Sequence, residues 1–196
     1  MTYPTPSEAL FEEFCQAHGL RYTDVPEGNS HTVDYLLHVG GVSIAIEIET
    51  LENMRGWNPG GVYTRTVGAH LRRKVADARK QIQAASKAGH PTLLLVHNAV
   101  DPSQAFGTEQ HDFLAAMYGD YSVRIVNKRI TDRYRDRSAA LQRGRNTSFS
   151  GIGHLSTTPK GPRVHVYENV FARVPLPFDG FPEAIGVSRI EVEFAA

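Results

Sequence analysis

Residues 32–50 read TVDYLLHVGGVSIAIEIET and determine how the chain is expected to fold. Two runs rich in β-branched and apolar residues flank Gly40-Gly41. A two-residue glycine turn between such runs is a strong signal for a β-hairpin. If the glycines form the turn, Val39 pairs with Val42. Asp34 then lies directly across from Glu47 on the neighbouring strand.

The predicted hairpin gathers carboxylates on one of its faces. Side chains alternate along a strand, so Asp34, Glu47 and Glu49 point to the same side. Cross-strand Cβ atoms lie ~5 Å apart, and like charges at that separation repel each other. A divalent cation would remove the repulsion, because Mg²⁺ takes oxygen ligands and is commonly held by one or two carboxylates. The alternative is an ordinary hairpin whose polar face is solvated.

The flanking sequence predicts an α/β fold around this hairpin. Ser7 is expected to cap a first helix that runs to His18. An apolar stripe from Val67 to Ala85 predicts one long helix ending near Gly89. The element order is αβββαβαβ, which indicates a sandwich with strands of mixed direction. Strands are expected at 20–25, 32–39, 42–50, 91–97 and 121–127, a further helix at 109–118, and later strands near 149–155, 163–167 and 188–194.

The length and composition bound the class of protein. A chain of 196 residues suits one α/β domain. Residues 1–127 are expected to form the core, with residues 128–196 as a basic segment and C-terminal β extension packed on it. The lone Cys15 excludes an internal disulfide and a multi-cysteine zinc site, so a reducing cytoplasm is expected. No stretch approaches the ~18 apolar residues of a membrane span, so no membrane partner is expected.

The charges are balanced in number but segregated along the chain. Lys and Arg number 21, as do Asp and Glu. Residues 1–60 hold nine acidic and two basic side chains, whereas residues 61–90 hold seven basic and one acidic. An acidic block beside basic blocks is compatible with a site for metal and phosphate. Solvated faces whose charges happen to cluster would give the same pattern.

The element order and the motif residues resemble the PD-(D/E)XK nuclease superfamily. The resemblance covers about residues 7–127. It rests on a helix with an acidic residue, Asp34 on a strand, the hairpin, Glu47-Ile48-Glu49, and the helix Arg72-Arg73-Lys74-Val75…Ala78…Lys80-Gln81-Ile82. It implies a restriction-endonuclease-like αβββαβ core with a mixed central sheet and a C-terminal β extension. It also implies hydrolysis of phosphodiester bonds in DNA that depends on Mg²⁺ or Mn²⁺.

Carried over to this chain, the resemblance makes Asp34 and Glu47 the metal ligands, with Glu12 of the first helix and Gln81 as accessories. The sequence departs from the motif in one important way, because its lysine position is Glu49. Some restriction endonucleases of the superfamily use Glu there. Glu49 would then be a third metal ligand, or a general base for the attacking water.

A candidate to replace the missing lysine lies on the predicted long helix. In other members of the superfamily this lysine comes from a neighbouring element. At about 100° per residue, Lys74 and Gln81 fall on the same flank of the helix, so Lys74 faces the site if Gln81 does. The alternative is a solvated lysine whose stem covers the edge of the apolar stripe.

Basic residues provide candidate contacts to nucleic acid. Residues 128–145 carry seven basic side chains against two acidic ones, with Tyr134 among them. They could grip a phosphate backbone or form a solvated loop. The predicted nucleic-acid-binding residues are Arg72, Arg129, Arg133, Arg135 and Arg137.

These patterns predict a metal-dependent nuclease that acts on DNA. A homodimer is compatible with the resemblance, because many such nucleases work as dimers. The alternative is a catalytically inactive relative that keeps the fold as a module for binding nucleic acid or a protein partner. In that case Glu49 marks the decay of the site.

Overall fold

A computed structural model describes residues 4–26, 31–52, 65–101, 103–104, 106–135 and 138–189. Over these residues the fold is α/β, as the sequence predicts, with a mixed central sheet of seven strands. The helices are α1 (Pro6–Ala17), α2 (Ala69–Asp77), α3 (Arg79–Lys87) and α4 (Gln110–Tyr118). The strands are β1 (Arg21–Asp24), β2 (Tyr35–Val39), β3 (Val42–Leu51), β4 (Thr92–Asn98), β5 (Tyr121–Val126), β6 (Arg129–Arg135), β7 (Gly151–Thr158), β8 (Gly161–Glu168) and β9 (Ile185–Ser188).

The central sheet has the strand order β1-β2-β3-β4-β7-β8-β9. Strands β3, β4 and β7 run parallel in its middle, and antiparallel pairs flank them. Because β7 pairs directly with β4, the C-terminal strands continue the sheet that the N-terminal half begins. A Cβ at Gly153 of β7 would lie 2.8 Å from Leu95 of β4, so the missing side chain permits this close approach.

The predicted hairpin is confirmed. Gly40 and Gly41 both have positive φ, 55° and 83°, as a two-residue turn of type I′ requires. The pairing of β2 with β3 runs from Val39↔Val42 to Tyr35↔Ile46, in the predicted register. Asp34 lies one residue before β2, and its backbone N–H donates to the carbonyl of Ile46 at 3.0 Å.

Two hydrophobic cores lie on opposite faces of the sheet. On one face α1 packs its Phe11 and Phe14 against Ile44 and Ile46 of β3. On the other face helices α2, α3 and α4 pack on β3, β4 and β7 through residues that include Leu51, Leu71, Val75, Leu94, Phe113 and Ile152. Glu47 and Glu49 alternate with the isoleucines of β3, so their side chains belong to the face that α2 and α3 cover.

Helix α1 begins earlier than the sequence predicts. Thr5, not Ser7, is the N-cap, and Pro6 occupies the first helical position. Thr5 and Glu8 form a capping box, in which the Thr5 backbone N–H donates to the Glu8 carboxylate at 2.6 Å. The Ser7 hydroxyl instead makes a 2.6 Å hydrogen bond with Thr50 of β3, which ties the start of α1 to the end of that strand.

The single long helix predicted from Val67 to Gly89 is divided into α2 and α3 at Ala78. Ala78 has φ −71° and ψ −6°, a looser turn than an ideal α-helix. The hydrogen bonds Ala78 N–H to Lys74 O and Ile82 N–H to Ala78 O still bridge the junction. The apolar stripe therefore continues across a local bend.

Strands β5 and β6 form a separate two-stranded sheet. The sequence predicts β5 but only a basic stretch after it. The turn residues Asn127 and Lys128 have φ of 50° and 62°, so they form a second turn with positive φ at both central positions. This turn has no glycine, which is why the sequence does not reveal it as clearly as Gly40-Gly41.

Helix α2 docks on α4 through a close backbone contact at Gly68. Gly68 precedes α2 with φ +68°, and its N–H donates to the Asp112 carboxylate at 3.1 Å. A Cβ at Gly68 would lie 2.7 Å from both the Ala116 nitrogen and the Asp112 carbonyl oxygen. Only glycine fits this position without displacing one of the helices.

We therefore expect Gly68→Ala to lower the free energy of unfolding by about 2 kcal/mol or more, since it combines a strained φ with a backbone clash. Urea unfolding followed by circular dichroism measures the change. Gly89→Ala is the matched control, because Gly89 also has a positive φ but a Cβ there meets nothing within 4 Å. Equal losses in the two variants would contradict the close contact.

Candidate functional site

Glu47 is the centre of the candidate site. It lies in the middle of β3, and only 6 % of the residue is exposed. Its Oε2 atom is buried and has no hydrogen-bond partner among the described residues. Buried polar groups nearly always have partners, and an unpaired buried carboxylate is strongly unfavourable. Glu47 is therefore the residue at which the structure departs most clearly from ordinary packing.

The pKa of Glu47 reflects these surroundings. Burial raises it most, and the negative charges of Asp34, Glu49 and Glu8 raise it further, to about 9. Without a cation, the Glu47 carboxyl is thus protonated at neutral pH. A bound divalent cation would place an opposite charge beside Glu47 and favour its ionised form.

Asp34 is held beside β3 by its side chain. Its Oδ2 accepts a hydrogen bond of 2.7 Å from the backbone N–H of Ile48, between Glu47 and Glu49 in the chain. The strand pairing ends at Tyr35↔Ile46, so the expected direct pairing of Asp34 with Glu47 is replaced by this side-chain contact. The charge of Asp34 still acts on Glu47, as the raised pKa of Glu47 shows.

Lys74 reaches the site from α2. Its Nζ lies 2.8 Å from Oε2 of Glu49, and the two side chains are 18 % and 19 % exposed. Glu49 stands where the superfamily motif has its lysine. The contact therefore pairs this position with a lysine from the next helix. Lys74 thus contacts Glu49; the helical wheel predicts that it faces the carboxylates if Gln81 does.

The two accessory residues occupy different places. Gln81 is half-buried in α3, two turns after Lys74. Glu12 accepts a 2.9 Å hydrogen bond from the Tyr35 hydroxyl, on the face of the sheet that α1 covers. Glu8, one turn earlier in α1, is the residue of this helix whose charge acts on Glu47, and sequence reasoning overlooked it. Metal ligation by Glu12 stays a prediction.

The predicted nucleic-acid-binding residues do not form one group. Arg72 donates to the carbonyls of Val67 and Ala115, both at 3.1 Å, and so joins α2 to α4. Arg129, Arg133 and Arg135 all lie on β6. Arg137 lies outside the described residues.

A second acidic group is less suited to a metal. Ligand atoms of Glu109, His111 and Asp112 lie within 4.8 Å of one another. Arg65 already neutralises this group, because its guanidinium donates to Asp112 at 2.9 Å and lies 3.5 Å from Glu109. The carboxylates of β3 differ in this respect, since Lys74 contacts Glu49 and the described neighbours whose charges act on Glu47 are all negative.

Histidines also meet on the sheet, which their spacing in the sequence did not indicate. Strand pairing sets Glu49, Val96, His154 and His165 in one row across β3, β4, β7 and β8. The Nε2 atom of His154 is buried and has no hydrogen-bond partner in the described part of the chain. Burial, followed by the charges of His97, His165 and Arg163, lowers the pKa of His154 to about 4, so it is neutral at neutral pH.

Comparison of the chain with protein-family models, curated proteins and solved structures found no match. Among the described residues, no helix is both long and apolar enough to cross a membrane. A functional assignment therefore rests on the geometry of the carboxylates and their neighbours.

The raised pKa of Glu47 predicts how stability depends on pH in metal-free buffer. The folded chain keeps a proton up to about pH 9, whereas the unfolded carboxyl loses it near its ordinary value of 4.5. The folded state therefore binds more protons between these values, and its free energy of unfolding falls as pH rises. We expect Glu47→Gln to remove this component, and to be more stable than the parent at about pH 8 by about 1 kcal/mol or more.

Urea unfolding at several pH values measures this effect. Glu13→Gln is the control, because Glu13 is exposed on α1 and the charge change is identical. If Glu47→Gln and the parent show the same pH dependence, the Glu47 carboxyl is not desolvated as the structure indicates.

Proposed function

We propose that the chain is a nuclease with a restriction-endonuclease-like core, which hydrolyses phosphodiester bonds in DNA and depends on Mg²⁺ or Mn²⁺. The observation that carries the proposal is the buried Glu47, whose Oε2 lacks a partner while Asp34 and Glu49 add negative charge around it. The element order α1, β1, β2, β3, α2–α3, β4 supports the αβββαβ core.

The donor set suits a hard divalent cation. Asp34, Glu47 and Glu49 offer carboxylate oxygens, which Mg²⁺ and Mn²⁺ prefer over sulfur ligands. The Glu47 oxygen without a partner offers a coordination position that no group of the described residues fills. The alternative is an ordinary hairpin whose polar face is solvated. Glu47 does not fit it, because only 6 % of the residue is exposed.

In this proposal Asp34, Glu47 and Glu49 hold the cation at the end of the hairpin. A bound Mg²⁺ would polarise a phosphoryl oxygen and lower the pKa of the attacking water. The ion pair between Lys74 and Glu49 fixes the direction of the Glu49 carboxylate. The ammonium group of Lys74 would add positive charge where the phosphate becomes more negative during the reaction.

A second candidate is a catalytically inactive module that binds nucleic acid or protein through the same fold. The observation that favours it is the 2.8 Å contact between Lys74 and Glu49, since a lysine can neutralise a carboxylate without any metal. The two candidates differ in whether the carboxylates bind a cation. Homodimer formation and a cytoplasmic location stay predictions from the sequence.

Glu47→Gln tests the metal site directly. We expect the parent to bind Mn²⁺ in isothermal titration calorimetry and to nick plasmid DNA with Mg²⁺ or Mn²⁺. Glu47→Gln removes the central charge, so it should lose Mn²⁺ binding and at least about 100-fold of the cleavage rate. Asp34→Asn should act in the same direction.

Glu13→Gln serves again as the control, and it should bind Mn²⁺ and cut DNA as the parent does. A parent that neither binds Mn²⁺ nor cuts any DNA or RNA substrate would favour the inactive module. Equal cleavage by Glu47→Gln and the parent would overturn the proposed function.

Lys74→Met separates the role of the lysine from that of the ligands. The substitution keeps the stem and removes the charge, so cleavage should fall by about 100-fold. Mn²⁺ binding should persist or tighten, because Glu49 loses a competing cation. Lys80→Met is the control, since Lys80 is exposed on α3. If Lys74→Met cuts DNA at the parental rate, the ion pair with Glu49 is structural only.

A further inference from the structure

The hairpin of β5 and β6 is an exposed arm. In the described part of the chain its strands pair with each other and with no strand of the central sheet. Large apolar side chains lie uncovered along it, at 56 % exposure for Tyr121, 65 % for Ile125 and 53 % for Ile130. Apolar side chains grouped this way on a surface mark an interaction site more often than single exposed ones do.

The hairpin is also strongly basic. Residues 121–135 carry five basic side chains and one acidic one. The acidic residue, Asp132, pairs across the strands with Arg124 on one face. On the other face Arg133 pairs with Val123, and Arg135 with Tyr121. That second face therefore presents arginines and apolar groups without a carboxylate of the hairpin.

The geometry of the hairpin holds these groups in place. Arg135 is anchored at the base, where its guanidinium donates to the Gly119 carbonyl at 2.9 Å and lies 5.5 Å from the Tyr121 ring centre. At the tip, the Asn127-Lys128 turn leads directly into Arg129. Ile125 and Ile130 pair across the strands next to that turn. The hairpin thus combines a cationic tip with an apolar patch.

We propose that this hairpin docks in the major groove of double-stranded DNA, with Arg129 and Arg133 on the phosphates and the apolar side chains toward the bases. The inference rests on the proposed function and specifies its substrate as duplex DNA. The major groove of B-form DNA is about 12 Å wide and admits a two-stranded β-ribbon. The major groove of A-form RNA is too narrow for side chains to read.

Charge also selects DNA over a second copy of the chain. Two such hairpins packed on each other would bring two sets of arginines together, whereas the DNA backbone carries the complementary charge. The apolar groups then have thymine methyl groups and base edges as partners in the groove.

Binding of the full-length chain in EDTA tests this proposal independently of cleavage. Fluorescence anisotropy compares a labelled 20-bp DNA duplex, the single strand and an RNA duplex of the same sequence. The parent should bind the DNA duplex most tightly. Arg129→Ala with Arg133→Ala should weaken that binding at least tenfold and reduce the salt slope by about 2, as the loss of two phosphate contacts requires.

A matched control removes two positive charges elsewhere, as Lys87→Ala with Lys160→Ala, both exposed. It should change duplex binding less than twofold. Ile130→Ser should weaken duplex binding several-fold with an unchanged salt slope, because it removes an apolar contact and no charge.

The proposal is wrong if the double arginine variant binds the DNA duplex as the parent does. It is also wrong if the parent binds the RNA duplex or the single strand as tightly as the DNA duplex. A third contrary result is a parental dimer in sedimentation that Ile130→Ser dissociates without changing DNA binding. Hairpin-dependent DNA binding by a parent chain that neither binds Mn²⁺ nor cuts DNA would instead overturn the nuclease alone.

Discussion

The candidate site is organised around the burial of one carboxyl group, that of Glu47, with the added negative charges of Asp34 and Glu49 nearby. Burial and like-charge repulsion both oppose its ionised form, and both raise its pKa. Natural proteins rarely keep such an arrangement without a partner for the charge. Among the described residues nothing pairs with the Glu47 Oε2 atom, and this is the observation on which the proposed cation site rests.

The surrounding elements support this arrangement. The Gly40-Gly41 turn sets the register of β2 and β3, and the Ile48 backbone N–H holds Asp34 at the edge of β3. Helix α2 brings Lys74 to Glu49. The position of α2 depends in turn on the close contact of Gly68 with α4. Backbone geometry thus positions the charged groups of the site, and the charges of Asp34 and Glu49 act on Glu47.

Local patterns in the sequence predict the parts of the site that depend on local geometry. Alternation along β3 predicts that Glu47 and Glu49 share a face, and the helical period predicts that Lys74 and Gln81 share one flank of their helix. Long-range pairing is different. Strand β7 pairs with β4 through contacts between residues nearly 60 apart in the chain. This pairing places His154 in the same row of the sheet as Glu49. Thr5 replaces Ser7 as the cap because Pro6 fits the first helical turn, and Asn127-Lys128 turns without the usual glycine.

The most direct test of the central claim is a crystal structure of the chain soaked with Mn²⁺, with the ion located by its anomalous scattering. We expect a Mn²⁺ ion bonded to Oε2 of Glu47 and to the Asp34 carboxylate at about 2.1 Å, with Glu49 contributing directly or through water. An ion bound instead among Glu109, His111 and Asp112, or no ion near Glu47, would contradict it.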